Sequence, residues 1–227
     1  MKYQWILFDA DETLYSFNSY FGLKAMLKHY SIDFTEQDYE AFQAVNKPLW
    51  VKYQNKEITA EELRAIRFSK LAEQTGQSAE ELNHQLMHEM SYVSQPLNGV
   101  MDMLKALHGK VKMAIVTNGF NALQEKRLNN TKTKAFFDLV ITSENVGIAK
   151  PDARIFEATF AQMGNVDKSK ILMVGDTLAS DILGGNSVGI DTCWYNPTQY
   201  HNDSDIRPTY EIHSILDLVS IAEKGTF

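Results

Sequence analysis

The stretch Trp5-Ile-Leu-Phe-Asp9-Ala-Asp11-Glu-Thr13 runs four apolar residues straight into two carboxylates set two apart. An apolar run of that length, with no polar alternation, reads as a strand buried on both faces, as in a parallel sheet. The same pattern recurs downstream, where Met113-Ala-Ile-Val116 leads into Thr117-Asn118-Gly119 and Ile171-Leu-Met-Val174 into Gly175-Asp176-Thr177, followed by Asp181. An isolated Lys150-Pro151 stands between those two. Open parallel sheets bind ligands outside the carboxyl ends of their strands, so three such ends gather Asp9, Asp11, Thr117, Asp176 and Asp181 from distant parts of the chain. Carboxylates sharing one cleft repel by about 4 kcal/mol per pair at ~4 Å and an effective dielectric near ~20. A bound cation removes that cost. The pattern implies magnesium-dependent phosphoryl transfer.

Outward from these motifs the sequence changes character twice. Residues 16–93 read as an all-helical insertion, or cap, and residues 1–15 with 94–227 as the core. In the insertion, Thr35 with Asp38, Thr59 with Glu62, and Ser78 with Glu81 each read as an N-cap with an acid three positions on. Tyr39, Phe42, Asn46, Leu49, Trp50 and Tyr53 follow at helical spacing, and Pro48 predicts a kink or break near Asn46-Lys47. Leu63 with Ile66, and then Leu82, Leu86, Met90 and Val93, mark further amphipathic helices.

From Pro96 on, helix and strand alternate. The spacing predicts strands over 111–116, 139–141, 171–174, 190–195 and 210–212. It predicts helices carrying Val100 to Leu107, Ile155 to Met163 with Pro151 in the first helical position, Ala179 to Leu183, and Ile215 to Ala222 capped by Ser214 and Asp217. Such alternation gives right-handed crossovers. The expected architecture is α/β, a Rossmann-like doubly wound parallel sheet with an inserted all-helical cap.

Each motif has a chemical and a plain structural reading. A carboxylate such as Asp9 can attack phosphorus to form an aspartyl-phosphate, and a second acid, Asp11, can protonate the departing alkoxide and then deprotonate water. Equally, two acids can end a strand and cap a turn. The Thr117 hydroxyl and the backbone N–H groups of Asn118 and Gly119 can hold a phosphate oxygen, although Asn-Gly is also a common turn. Lys150 can stabilise a transferring phosphoryl group, or it can be a solvated lysine beside a helix start. Asp176 suits Mg²⁺ as a hard oxygen ligand, or it caps the helix after it. Asp181 can hold a metal-bound water or orient Lys150.

Composition narrows the class. A formal net charge of -7 and no Lys/Arg-rich run argue against a nucleic-acid polymer as partner. They leave room for a small phosphorylated molecule held by a metal and one lysine. The single cysteine, Cys193, excludes an internal disulfide framework and a multi-Cys zinc site, and its apolar surroundings point to a buried thiol. No segment approaches the ~18 apolar residues of a membrane span, and the N-terminus lacks a signal-type apolar region, so the expected location is cytoplasmic with no membrane partner.

In order, and over nearly the whole chain, these motifs resemble the four motifs of the haloacid dehalogenase-like hydrolase superfamily. The resemblance implies Asp9 as nucleophile, Asp11 as general acid/base, and Thr117 and Lys150 as phosphate-binding. It implies Mg²⁺ held at Asp9, Asp176 and the backbone carbonyl of Asp11, and a substrate-selecting helical cap. Asp9-Ala-Asp-Glu-Thr-Leu14, Ala44-Val-Asn-Lys-Pro-Leu-Trp50, Thr117-Asn-Gly-Phe120 and Gly147-Ile-Ala-Lys-Pro151 look like the bacterial pyrimidine 5'-nucleotidase branch. Glu12 stands where many superfamily members carry glycine and agrees with this branch. The implied substrates are nucleoside monophosphates such as dUMP, dTMP and UMP. In the insertion, Phe17, Phe21, Trp50 and Tyr53 could stack on a base and Asn46 or Lys47 supply polar contacts, or the rings could be the insertion's own core.

Competing readings differ in what they require. A true dehalogenase needs neither metal nor a second acid, so Asp11 with Asp176 argues against it. A sugar-phosphate phosphatase or a phosphomutase shares the same motifs and stays open. A non-catalytic phosphate-ligand sensor would be expected to have lost Asp9 or Asp11, and both are present.

Overall fold

A computed structural model describes residues 1–226. The core is a six-stranded sheet in the order β3-β2-β1-β4-β5-β6, all pairs parallel. The strands are β1 (Trp5–Phe8), β2 (Lys112–Thr117), β3 (Leu139–Thr142), β4 (Ile171–Gly175), β5 (Asp191–Tyr195) and β6 (Tyr210–Ile212). The helices are α1 (Ser19–Lys28), α2 (Glu36–Gln54), α3 (Ala60–Thr75), α4 (Ala79–Val93), α5 (Val100–Leu107), α6 (Asn121–Asn130), α7 (Ser143–Val146), α8 (Ala153–Met163), α9 (Leu183–Ser187) and α10 (Asp217–Lys224). β1 and β4 are buried along their whole length, which is why neither alternates. Alternate residues of β1 serve opposite faces. Trp5 and Leu7 join Ala114, Met173, Ile155 and Phe156 in one apolar cluster, while Ile6 and Phe8 are equally buried on the other side. The strand order reverses between β1 and β4, the switch point at which such sheets open a crevice. The chain is therefore α/β with a doubly wound parallel sheet.

The chain divides into two compact units, residues 1–16, 95–119 and 131–226 around the sheet, and residues 17–94 with 120–130. The second unit thus includes α6, which lies outside the 16–93 boundary read from the sequence. Helices α2, α3 and α4 start where the caps were expected. Thr35 and Thr59 each accept from the backbone N–H of the acid three residues on, and Asp38 and Glu62 accept in return from the cap backbone. At Ser78 only half of this forms, because Glu81 turns its carboxylate to Gln85 at 2.8 Å.

Four local expectations are corrected. α2 runs through Pro48 as one helix, so the chain does not break there. Proline removes only its own N–H bond, and the flanking turns keep theirs while burying Leu49 and Tyr53. Pro151 lies before α8 and not in its first turn. Asp152 is the N-cap, accepting from Arg154 N at 3.0 Å. Ser214 caps a turn through Leu216 N at 3.3 Å, and α10 begins only at Asp217. On α3 the buried face is rotated by one residue: Ile66 is 44% exposed, whereas Arg67 is 7% exposed.

Candidate active site

The sheet unit assembles its polar residues at the β1–β4 switch. Asp9 continues the ladder past β1, its N–H donating to Val174 O at 2.8 Å. Asp176 stands one residue past β4. The ligand oxygens of Asp9, Asp176 and Asp181 all lie within 4.8 Å of one another. Into this group reaches Lys150, only 1% exposed, whose Nζ donates to Asp9 Oδ1 at 2.6 Å and to Asp181 Oδ1 at 2.7 Å. Asp181 holds Lys150 with one oxygen, and its other oxygen accepts from Thr177 N at 3.0 Å. Gly175 is what lets Asp181 approach, because a Cβ there would sit 2.2 Å from Asp181 Oδ2.

Electrostatics follow from this crowding. Burial, against the opposing pull of Lys150 and with the added repulsion of Asp181, Asp11 and Asp176, pushes Asp9 up to about 8. Burial and Asp181 push Asp176 up to about 6. Burial alone would lower the Lys150 ammonium, but Asp181 and Asp9 together outweigh it and the net shift is upward. Fully ionised, three carboxylates against one ammonium leave an excess of two negative charges in this cluster. Hard carboxylate oxygens with that excess fit a divalent ion of the Mg²⁺ kind. The side chain of Asp11 is not part of the three-carboxylate group.

The second motif is used differently from its sequence reading. The Asn118 side chain clamps the backbone of Lys150, accepting from Lys150 N at 2.7 Å and donating to Lys150 O at 3.0 Å. Its amide therefore positions the lysine, and the second Nδ2 hydrogen and the backbone N–H are not used in that clamp. Thr117 is 1% exposed and its Oγ1 accepts from Gly119 N at 3.0 Å, forming a tight turn after β2. Glu12 adopts a left-handed backbone, φ 58°, in the turn after Asp11. That is the conformation a glycine takes without cost, whereas another residue pays about 1–2 kcal/mol.

Sequence reasoning missed several supports. Thr13 Oγ1 accepts from Asp176 N at 3.1 Å and lies 3.3 Å from its carboxylate. The indole of Trp194, on β5, donates to Asp176 O at 2.8 Å. Ser143 Oγ donates to Asn118 O at 3.0 Å. Thr13 is quoted within the first motif, but nothing local ties Trp194 to Asp176. In the helical unit, Phe17 and Phe21 are 41% and 54% exposed, while Tyr53 is buried. Trp50 is half-buried, 5.3 Å from the ring of Phe120. Cys193 is buried, which pushes its thiol up, as a packed cysteine requires. Among the described residues no helix is long and apolar enough to cross a membrane.

Comparison with known proteins accords with this geometry. The chain is 46% identical over 218 residues to the pyrimidine 5'-nucleotidase YjjG of Escherichia coli (strain K12), covering 96% of this chain and 97% of that one. It is 34% identical to the pyrimidine 5'-nucleotidase PynA of Streptococcus pneumoniae, covering 99% and 97%. Among solved structures it is similar to the HAD-hydrolase YfnB from Bacillus subtilis bound to magnesium, with a TM-score of 0.85 at 29% identity, covering 98% of this chain and all of that one. The family model of the haloacid dehalogenase-like hydrolases matches residues 3–189. With the strand-end aspartates gathered around Lys150 and relatives similar along their full length, the chain belongs to the haloacid dehalogenase-like hydrolases.

Proposed function

We propose that this protein is a magnesium-dependent phosphomonoesterase acting on pyrimidine nucleoside 5'-monophosphates of the dUMP, dTMP and UMP type. The observation that carries the chemistry is the convergence of Asp9, Asp176 and Asp181 on the buried Lys150. Full-length similarity to two pyrimidine 5'-nucleotidases supports the substrate class. Asp9 attacks phosphorus. The bond to the nucleoside 5'-oxygen breaks, its electron pair leaves with that oxygen, and Asp11 delivers the proton. Water then attacks the phosphorus of the aspartyl-phosphate and gives its proton to Asp11. The bond to Asp9 breaks, returning the carboxylate and releasing phosphate. Lys150 draws Asp9 toward its ionised form against burial, and its clamp by Asn118 and Asp181 fixes the ammonium beside the reacting oxygen. The Thr117 hydroxyl and the backbone N–H of Asn118 bind the phosphoryl oxygens. Magnesium, held by Asp9, Asp176 and the Asp11 carbonyl, would supply charge neutralisation of the phosphoryl oxygens when bound.

The test is phosphate release from a panel of nucleoside monophosphates and sugar phosphates, with and without Mg²⁺, beside an Asp9→Asn control. The expected result is metal-dependent release favouring dUMP, dTMP or UMP, with the control reduced by a factor on the order of 10⁴ or more. Release favouring a sugar phosphate would keep the chemistry and overturn the substrate class.

A further inference from the structure

The helical unit buries a cation that its own residues leave unpaired. Arg67, on α3, is 7% exposed, and among the described residues no carboxylate pairs with it. Burial, with Arg64 nearby, pulls its guanidinium down to about 9. Its Nη2 donates to Asn83 Oδ1, while its Nε is buried with no partner. The guanidinium carbon lies 5.1 Å from the ring centre of Phe120 and 4.9 Å from that of Phe68. Trp50 packs on the same Phe120, tilted and half-buried. One turn before Trp50 on α2 sits Asn46, also buried, whose Oδ1 has no partner.

The orientation of that amide is set by a chain of hydrogen bonds. Ser19 and Tyr39 share a bond at 2.7 Å, and Gln43 Nε2 donates to both, at 3.3 and 2.6 Å. Gln43 is left with only its oxygen facing Asn46, and it accepts from Asn46 Nδ2 at 3.1 Å. Asn46 Oδ1 must then be the end left bare. A bare buried donor beside Phe120 and a bare buried acceptor one helical turn before Trp50 are each costly unless something fills them. A second phosphate would offer acceptors only and leave Asn46 unmet. A flat ring with a carbonyl beside an N–H meets both.

We propose that Arg67 and Asn46 read the base, Arg67 Nε donating to a ring carbonyl and Asn46 Oδ1 accepting from the adjacent N3–H of uracil or thymine, with the ring against Trp50. This rests on the pyrimidine nucleotidase reading above. Phe120, the packed ring under Arg67, is joined by one peptide bond to Gly119, so the site is tied in sequence to the segment that carries Thr117.

The test compares UMP with 3-methyluridine 5'-monophosphate, in which a methyl group replaces the N3 hydrogen. The wild-type protein should lose about tenfold or more in kcat/KM on the methylated nucleotide. Asn46→Ala removes the acceptor and makes room for the methyl, so the two substrates should come within about twofold of each other. Arg67→Met should lower kcat/KM on UMP about tenfold, mostly through KM. Uridine and 3-methyluridine binding to the wild-type protein, followed by tryptophan fluorescence, gives a readout that needs neither turnover nor a mutant, and uridine should bind about tenfold tighter. UMP turnover with no discrimination at N3, or discrimination unchanged in Asn46→Ala, overturns this inference alone. No turnover of any pyrimidine nucleotide overturns the substrate class and this inference with it.

Discussion

Lys150 in the sheet unit and Arg67 in the helical unit are both buried basic side chains, and the two are treated in opposite ways. In the sheet unit, Lys150 is held by Asp9 and Asp181 at 2.6 and 2.7 Å, and its ammonium is shifted upward. In the helical unit, Arg67 is as deeply buried, has no carboxylate, and is shifted down to about 9. The first arrangement is complete in its ammonium, and its surplus of carboxylates fits a divalent ion. The second is short of an acceptor. On the reading proposed above, the first site carries the chemistry with charges organised in advance, and the second carries selection with polar groups that a substrate fills.

The comparison breaks if the two cations cost the same to remove. Lys150→Met strands two buried carboxylates and should destabilise the metal-free protein by about 3–5 kcal/mol, read by urea unfolding. Arg67→Met removes a buried charge that has no carboxylate partner, replacing it with a chain of similar length. Stability should move by no more than about 1 kcal/mol in either direction, since the loss of contact with Phe68 and Phe120 is offset by the removed desolvation cost. Equal losses in the two variants would mean that Arg67 is structural.

A smaller effect sharpens the contrast between the units. Bonds from the Thr35 side chain and backbone hold Asp38 below the usual carboxylate range, and bonds from the Thr59 backbone and side chain do the same for Glu62. A depressed folded-state pKa contributes stability that is present above the unfolded value and lost as pH falls through the folded one. The starts of α2 and α3 should therefore loosen on acidification below the ordinary carboxylate range. Hydrogen exchange at their first turns should rise relative to β1 and β4 between pH 6 and pH 3, after correction for intrinsic rates. Thr35→Ala with Thr59→Ala should flatten that dependence. Equal change at the sheet and the helix starts would contradict the assignment.

Much of the sheet unit is legible in the sequence because parallel strands buried on both faces leave uninterrupted apolar runs whose ends are marked. Trp5–Phe8 and Ile171–Gly175 need no tertiary information to be found, and the aspartates after them follow from position. What supports those aspartates is harder to read. The Asn118 amide reads as half of an Asn-Gly turn, yet its partner is the backbone of Lys150, far along the chain. Trp194 reads as a core residue, and only the sheet brings its indole to Asp176. The helical unit is less legible for a different reason. Periodicity places Ile66 inward because isoleucine is apolar, whereas the fold turns Arg67 inward and leaves Ile66 to solvent. A buried cation violates the very pattern by which a helix face is recognised.

The most direct measurement is rapid quenching of the wild-type protein during turnover of UMP with Mg²⁺, followed by mass spectrometry of the peptide that carries Asp9. The account predicts a phosphoryl group on Asp9 that appears before free phosphate and disappears as substrate is exhausted. Phosphate released with no label on Asp9 at any time, or a label on another side chain, would contradict it.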